Sequence, residues 1–254
     1  MSSHSTLGKV PEVTFGFWCI KILATTLGET GGDAVSMSLN LGYAISSAIF
    51  IAIFIAAVSV QIRASAFHRF LYWFVIVATT TAGTTMADFA DRSLGVGYPG
   101  GASTLFVLLM AALGAWYWTE GSVSVDTVNT PRTEIFYWVA ILFSQTLGTA
   151  LGDWMADSNG LGYGDGALVF AAGLALVAGG YFFTSISRTA LFWTAFILTR
   201  PLGATLGDLF DKPVADGGFA VSRFDASAIL AVVIAGCVLI IPQRAGRHPG
   251  AAAS

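Results

Sequence analysis

Four aspartates recur at equivalent positions in a strongly apolar chain. Asp33, Asp88, Asp153 and Asp208 each lie 15 residues after the tryptophan of an aromatic–Trp pair. A carboxylate near the end of an apolar helix is costly, so it usually faces a cation, a proton path or a polar partner. Carboxylate oxygens suit hard cations such as magnesium, calcium or manganese. We therefore predict that these aspartates are metal ligands; the alternative is that each only caps the turn that follows it.

Two small residues, four positions apart, precede each aspartate. They are Gly28 and Gly32, Gly83 and Ala87, Gly148 and Gly152, and Gly203 and Gly207. Small residues at this spacing allow the backbones of two membrane helices to approach closely. We predict that these eight residues pack the helices against one another.

A polar stripe lies on the same helix face as the small residues. Positions three or four residues apart share one face of a helix. The stripe contains Lys21, Thr25 and Glu29 in the first copy, Thr80 and Thr84 in the second, Gln145 and Thr149 in the third, and Arg200 in the fourth. Lipid provides no partner for such a face, so it should face protein or a water-filled cavity. We predict that the four helices surround a centre and that these side chains line a transport path.

Charged residues in the stripe break the repeat. Lys21 stands where the other copies have Ile or Phe, and Arg200 stands where they have Thr or Gln. In a ring of helices, Arg200 and Glu29 would lie about one helical turn apart in height. A buried ion pair is therefore feasible, either as a purely structural pair or as one that responds to a substrate or a proton. Proton coupling would fall to Glu29 or to one of the aspartates.

The composition indicates the elements that position these residues. Of 254 residues, 55% are apolar and only 11% are charged, and the mean hydropathy is +0.74. These values are typical of a multi-pass membrane protein. Weakly charged stretches of about 20 residues predict an all-α membrane protein with eight transmembrane helices. Because each copy holds two helices, all four repeats should have the same, parallel orientation.

The spacing of the copies divides the chain. Successive copies are offset by 55, 65 and 55 residues, so the two tandem halves superimpose at an offset of 120. The predicted segments are an N-terminus at 1–12, repeats at 13–62 and 68–119, an inter-half linker at 120–132, repeats at 133–185 and 189–243, and a disordered tail at 244–254.

The two sides of the membrane differ in charge. Lys and Arg gather at both termini and between the repeats, whereas most aspartates fall in the turns within the repeats. By the positive-inside rule, both termini are cytoplasmic and the chain resides in the cell (inner) membrane. Aromatic side chains such as Trp and Tyr are enriched at membrane–water interfaces, so we predict that the four aromatic–Trp pairs anchor the helices at the headgroup level.

Other function classes lack their sequence features. The basic residues are too few and too scattered for a nucleic-acid surface. No phosphate-binding glycine loop, zinc-protease motif or nucleophile elbow is present, so we predict neither an enzyme nor a bound cofactor.

The chain resembles a bacterial group of uncharacterised multi-pass membrane proteins built from four copies of a short repeat of unknown function. The resemblance rests on the segment 25–33, TTLGETGGD, and its three counterparts, and it extends over about residues 13–243. In addition, Gly28-Glu29 with Gly32-Asp33 is similar to the Glu-x-Gly-Asp helices of a cation/proton exchanger family that exports manganese or calcium. This likeness implies transport of a divalent cation, although the spacing differs and the Lys/Arg-Thr/Ser that follows in that family is missing.

We therefore expect a membrane transporter for a cation, with a divalent metal as one candidate. Two alternatives stay open. The protein could be a non-transporting membrane scaffold or sensor, in which the polar ring fixes helix register. It could also carry a small organic solute, with Arg200 as a carboxylate clamp.

Overall fold

The computed structural model describes residues 7–158 and 161–247. Within these ranges the chain forms eight long helices, which confirms the all-α prediction. They are α1 (Phe15–Asp33), α2 (Gly42–Arg63), α3 (Arg69–Asp88), α4 (Tyr98–Glu120), α5 (Pro131–Asp153), α6 (Gly162–Phe183), α7 (Arg188–Asp211) and α8 (Arg223–Ile240). Six of the described helices, all except α1 and α7, are long and apolar enough to cross a membrane. The helices α1 and α7 carry the charges of the polar stripe.

The odd-numbered helices form an inner ring. Each packs against two others, in the order α1, α3, α5, α7 and back to α1. Most residues of α3 and α5 are buried, whereas fewer than a third of those in the apolar stretches of α2, α4, α6 and α8 are. The structure thus confirms that the four striped helices surround a centre.

The even-numbered helices lie outside this ring, each on the inner helix of the next repeat. Helix α2 packs mainly on α3, α4 on α5 and α6 on α7, and α8 closes the circle by packing on α1. A repeat is therefore not a self-contained hairpin. Its outer helix packs on the inner helix of the neighbouring repeat, so the ring closes only through contacts between copies.

Close approach at glycine sets the spacing of the inner ring. At the first small residue of each repeat, the side chain or backbone of the next inner helix lies directly against the glycine. A Cβ added to that glycine would overlap these atoms. The contacts are Gly28 with Thr80, Gly83 with Gln145 and Thr146, Gly148 with Arg200, and Gly203 with Thr25. At the second small position, Gly32 meets Thr84, Gly152 meets Ala204 and Gly207 meets Glu29, while Ala87 is buried.

The turns after the aspartates also repeat. Helices α1, α3 and α5 continue as π-helical turns over Ala34–Ser38, Phe89–Ser93 and Trp154–Ser158, whereas α7 stays α-helical to Asp211. A glycine then reverses the chain in every copy. Gly42, Gly97, Gly162 and Gly217 have φ values of 74°, 74°, 70° and 84°, a backbone conformation that favours glycine.

The aromatic–Trp pairs do not face lipid headgroups, so the prediction of interfacial anchors was wrong. Of the eight rings, all but that of Trp18 are buried. They meet across the start of the inner ring, with centroids of Tyr72 and Trp138 at 5.7 Å and those of Phe17 and Phe192 at 6.4 Å. Their packing brings the first turns of all four inner helices together into an aromatic layer.

A small sheet covers the aromatic layer. Strand β1 (Leu7–Pro11) pairs antiparallel with β2 (Ala245–Arg247). The backbone N–H of Lys9 in β1 donates to the carbonyl of Val128 in the inter-half linker. The tail predicted to be disordered from residue 244 therefore begins with a strand, because its backbone pairs with the N-terminal segment. Residues 1–6 and 248–254, which belong to the predicted terminal segments, lie outside the described residues.

Substituting Gly203 by Ala should destabilise the protein by about 1–3 kcal/mol, because the added methyl group overlaps Thr25 of α1 and overpacking costs that much. Gly114→Ala is the matched control: Gly114 is an exposed glycine of α4 whose Cβ would meet nothing within 4 Å. Reversible unfolding of the two purified variants in mixed micelles measures the difference. Equal stabilities would contradict this account of inner-ring packing.

Candidate functional site

The interior of the inner ring holds a group of buried polar side chains, here called the polar centre. It consists of Lys21, Thr25, Glu29, Thr80, Thr84, Gln145, Thr149, Thr199 and Arg200, none of which is more than 3% exposed. Eight of these nine are the residues that the sequence assigned to a transport path, and the structure brings them together. Thr199 was missed because it lies one position before the stripe.

Arg200 connects the whole polar centre. Its Nη2 lies 2.8 Å from Glu29 Oε2 and donates to Thr84 Oγ1 at 2.5 Å and to Thr149 Oγ1 at 2.6 Å. These three partners belong to α1, α3 and α5, so one nitrogen of α7 contacts every other inner helix. The buried ion pair between Arg200 and Glu29 that the sequence made feasible is confirmed. Gly148 makes room for it, because its missing side chain lies against the Arg200 stem.

Lys21 has weaker partners. Its Nζ lies 3.4 Å from Gln145 Oε1 and 3.5 Å from Thr199 Oγ1, and it stands 4.1 Å above the centre of the Phe196 ring. A cation over an aromatic face is attracted by the ring quadrupole. Among the described residues, no carboxylate forms an ion pair with Lys21. A fully buried ammonium is therefore held by a ring and two long hydrogen bonds.

The four repeat aspartates lie at the opposite end of the inner ring from the aromatic layer, as two bridged pairs. Lys212 Nζ lies 3.0 Å from Asp33 and 2.9 Å from Asp208. Arg92 lies 2.9 Å from Asp88 and 3.2 Å from Asp153. All four aspartates are buried, and each pair spans two adjacent inner helices.

The two bridging cations were missed by sequence reasoning, although a signal was present. Lys212 and Arg92 each stand four residues after an aspartate, and their separation of 120 residues equals the offset between the halves. The first and third copies have Met37 and Asp157 at that position. The bridges thus follow the two-fold relation between the halves and not the four-fold repeat.

Three carboxylates of the acidic end converge. Glu29, Asp33 and Asp208 each offer one oxygen, and these oxygens all lie within 4.8 Å of one another. We call this set the acidic cluster. It touches the polar centre, because Glu29 is the partner of Arg200. Such a spacing of carboxylate oxygens fits ligands of one hard cation.

Lys212 is the cation that bridges Asp33 and Asp208, whereas Glu29 of the acidic cluster pairs with Arg200. Arg223 lies farther away, at 3.7 Å from Asp33. Burial by itself lowers the pKa of Lys212, but the negative charges of Asp208, Asp33 and Asp211 outweigh burial and raise it above its ordinary value. The ammonium therefore stays charged at physiological pH. Lys212 follows the end of α7 and its side chain is 12% exposed, so this charge can be reached from the acidic end.

Breaking the central ion pair should be costly. We expect Arg200→Leu or Glu29→Leu alone to destabilise the protein by about 3–5 kcal/mol, because the remaining charge is buried without a partner. The double variant should lose less than the sum of the two. The exposed pair Glu120–Arg132, joined at 3.0 Å with Arg132 66% exposed, provides the control cycle, with a coupling energy of about 0–1 kcal/mol. Similar coupling in the two cycles, measured by unfolding in mixed micelles, would contradict the assignment.

Comparison with known proteins identifies the repeat. A family model described as a Repeat of Unknown Function (DUF347) matches residues 16–67, 71–122, 136–187 and 191–242. No curated protein matches the chain, and no solved structure does. The four matches cover most of the sequence and include all eight helices of the bundle. The chain therefore belongs to the family of proteins built from DUF347 repeats, as its resemblance to a four-copy repeat family implied.

Proposed function

We propose that the protein is a multi-pass membrane transporter that carries a cation along the interior of the inner ring. The observation that carries the proposal is the acidic cluster, in which three buried carboxylates converge next to the polar centre. Carboxylate oxygens are ligands for hard cations, so divalent metals are the first candidates. The path would run from the acidic cluster through the polar centre toward the aromatic layer.

The energetic cost of the interior supports this proposal over a purely structural role. Removing a charged group from water costs several kcal/mol even after relaxation, and apolar side chains of similar size often stabilise a fold as well or better. The inner ring nevertheless buries Lys21, Glu29 and Arg200 at mid-length and four aspartates at one end. Ionisable residues inside a membrane bundle commonly mark an ion or substrate path.

Lys212 gives the proposed path an entry step. An arriving cation would replace the Lys212 ammonium between Asp33 and Asp208, so that the two carboxylates are not left without a positive partner. Replacement is sterically simple, because Lys212 belongs to the connection between α7 and α8 and is partly exposed. A cation at this point would also weaken the attraction of Glu29 for Arg200, which lie 2.8 Å apart.

The aromatic layer would form the second barrier. The hydroxyl groups of Tyr72 and Tyr137 lie 2.7 Å apart and are completely buried. Trp116 packs beside this pair, with T-shaped ring contacts to Tyr137 and Trp193. A path closed by ion pairs at one end and by rings at the other corresponds to an occluded transporter.

We further propose that all eight helices cross the membrane and that the four repeats insert in the same direction. The starts of the inner helices meet in the aromatic layer, and their ends carry the bridged aspartates. Helices α1 and α7 would cross despite their charges because the other helices shield them from lipid. The termini and the aromatic layer would lie on the cytoplasmic side, where Lys and Arg are concentrated.

This topology predicts which loops a membrane-impermeant maleimide reaches. In a Cys19→Ala/Cys237→Ala background, Ala215→Cys lies in the α7–α8 connection and Ser185→Cys in the α6–α7 connection; both positions are exposed. We expect Ala215→Cys to be labelled on intact bacterial cells and Ser185→Cys only after permeabilisation. The reverse pattern would invert the orientation, and labelling of both on intact cells would contradict the crossing of α7, which lies between the two positions.

Ion flux into proteoliposomes tests the transport function itself. We expect uptake of at least one of manganese, magnesium, calcium and zinc by the wild-type protein. Asp33→Asn and Asp208→Asn should lower the apparent affinity about tenfold or more, because loss of a charged ligand removes roughly 1.5–3 kcal/mol. Lys212→Gln should act in the opposite direction and lower the half-saturating concentration, because it removes the competing ammonium.

Asp216→Asn is the matched control for these variants, since Asp216 is an exposed aspartate of the same α7–α8 connection. Its flux should equal that of the wild type. Unchanged flux in folded Asp33→Asn protein would exclude the acidic cluster as the cation site. An absence of flux for every ion, with the protein folded, would exclude cation transport and favour the scaffold alternative.

A further inference from the structure

The polar centre contains buried hydrogen-bond donors that lack acceptors. Among the described residues, Nε and Nη1 of Arg200 and Nε2 of Gln145 have no hydrogen-bond partner, although both side chains are fully buried. Buried polar groups in proteins are nearly always paired. Arg200 donates through Nη2 alone, so most of its donor capacity is unused.

The polar centre contains more basic than acidic side chains. Lys21 and Arg200 are both cations, and Glu29 is the one carboxylate that the described polar centre sets against them. Glu29 pairs with Arg200 and not with Lys21. The hydroxyl groups of Thr84 and Thr149 already accept from Nη2 of Arg200.

The two cations face a common segment of α5. Lys21 contacts Gln145, and Arg200 contacts Thr149, one helical turn later on the same helix. Four residues of α-helix rise about 6 Å, so the α5 partners of the two basic groups stand about that far apart along the helix, a spacing that one small anion with its contacts spans. The side-chain amide of Gln145 accepts from Lys21 through its oxygen, so its unpaired nitrogen lies in the same region.

We propose that the polar centre binds a small monovalent anion, a halide or a small carboxylate. Arg200 and Lys21 supply the positive charge, and Gln145 donates its unpaired N–H groups. One negative charge balances the centre, and the anion accepts hydrogen bonds that the protein leaves unmade. Charge-assisted hydrogen bonds of this kind are stronger than neutral ones. This site is distinct from the acidic cluster, and it requires no cation flux.

Anion binding is measured on the full-length protein in detergent, exchanged into gluconate, an anion much larger than chloride, formate or acetate. Chloride, formate and acetate are then titrated while thermal unfolding is followed. A ligand that binds the folded state raises the unfolding temperature in a saturable manner. We expect at least one of the three to do so, and a response to chloride alone or to the carboxylates alone assigns the anion class.

Two substitutions of Gln145 test whether the anion binds at the polar centre, and both leave Arg200 unchanged. Gln145→Leu removes the amide donors and should weaken anion affinity about tenfold. Gln145→Glu places a carboxylate beside Lys21 and should act as a built-in anion. We expect that variant to be more stable than the wild type in gluconate and to lose the anion response.

Gln61→Leu is the matched control, because Gln61 is a buried glutamine of α2 that donates to the Lys9 carbonyl near the aromatic layer. It lowers stability without touching the polar centre, so its anion response should equal that of the wild type. The proposal is overturned if no anion stabilises the wild type saturably, or if Gln145→Glu responds like the wild type. Failure of metal flux would leave this result unchanged, so the two proposals are tested separately.

Discussion

One guanidinium group, that of Arg200, contacts all three other helices of the inner ring. Its Nη2 reaches Glu29 at 2.8 Å, a distance typical of a charge-assisted hydrogen bond, and it also donates to Thr84 and Thr149. Such contacts require helices that approach closely, and Gly148 provides the space beside the Arg200 stem. The small residues of the repeat and the charge in the centre are therefore parts of one arrangement. Contacts at the small residues bring the inner helices close together, and the ion pair joins α7 to α1.

Different sets of residues in this molecule follow different symmetries. The small residues and aspartates follow the four-fold repeat, the bridging cations Arg92 and Lys212 follow the two-fold relation between halves, and Lys21, Glu29 and Arg200 each occur once. Packing requirements are the same in every copy, so packing residues repeat. A single axial site has one set of ligands, so its residues differ between copies. The packing residues therefore form a repeated scaffold, and the charged residues at its centre are not repeated.

Local sequence patterns predicted the helices, the inner ring and the pairing of Arg200 with Glu29, because each depends on which residues share a helix face. The aromatic layer was mispredicted, although Phe17 lies about one turn and Tyr72 about two turns before the stripe on the same face. A preference of aromatic residues for headgroups does not distinguish a lipid-facing ring from one that faces the axis. The bridges of Lys212 to Asp33 and of Arg92 to Asp153 join different repeats, and so does the packing of each outer helix on the next copy. These contacts exist only after the ring closes, so no local pattern contains them.

In the proposed transport cycle, the acidic cluster exchanges the Lys212 ammonium for a substrate cation. The rate at which a water-soluble acylating reagent modifies Lys212, read by mass spectrometry at increasing manganese, magnesium, calcium or zinc concentration, tests it directly. Lys9 is the internal reference, because it is paired with Glu134 at 2.7 Å and is 14% exposed, against 12% for Lys212. The account predicts that a transported cation accelerates modification of Lys212 several-fold and leaves Lys9 unchanged, since a released ammonium is more exposed and loses the carboxylates that keep it protonated. Equal rates at Lys212 with and without every cation would contradict the exchange.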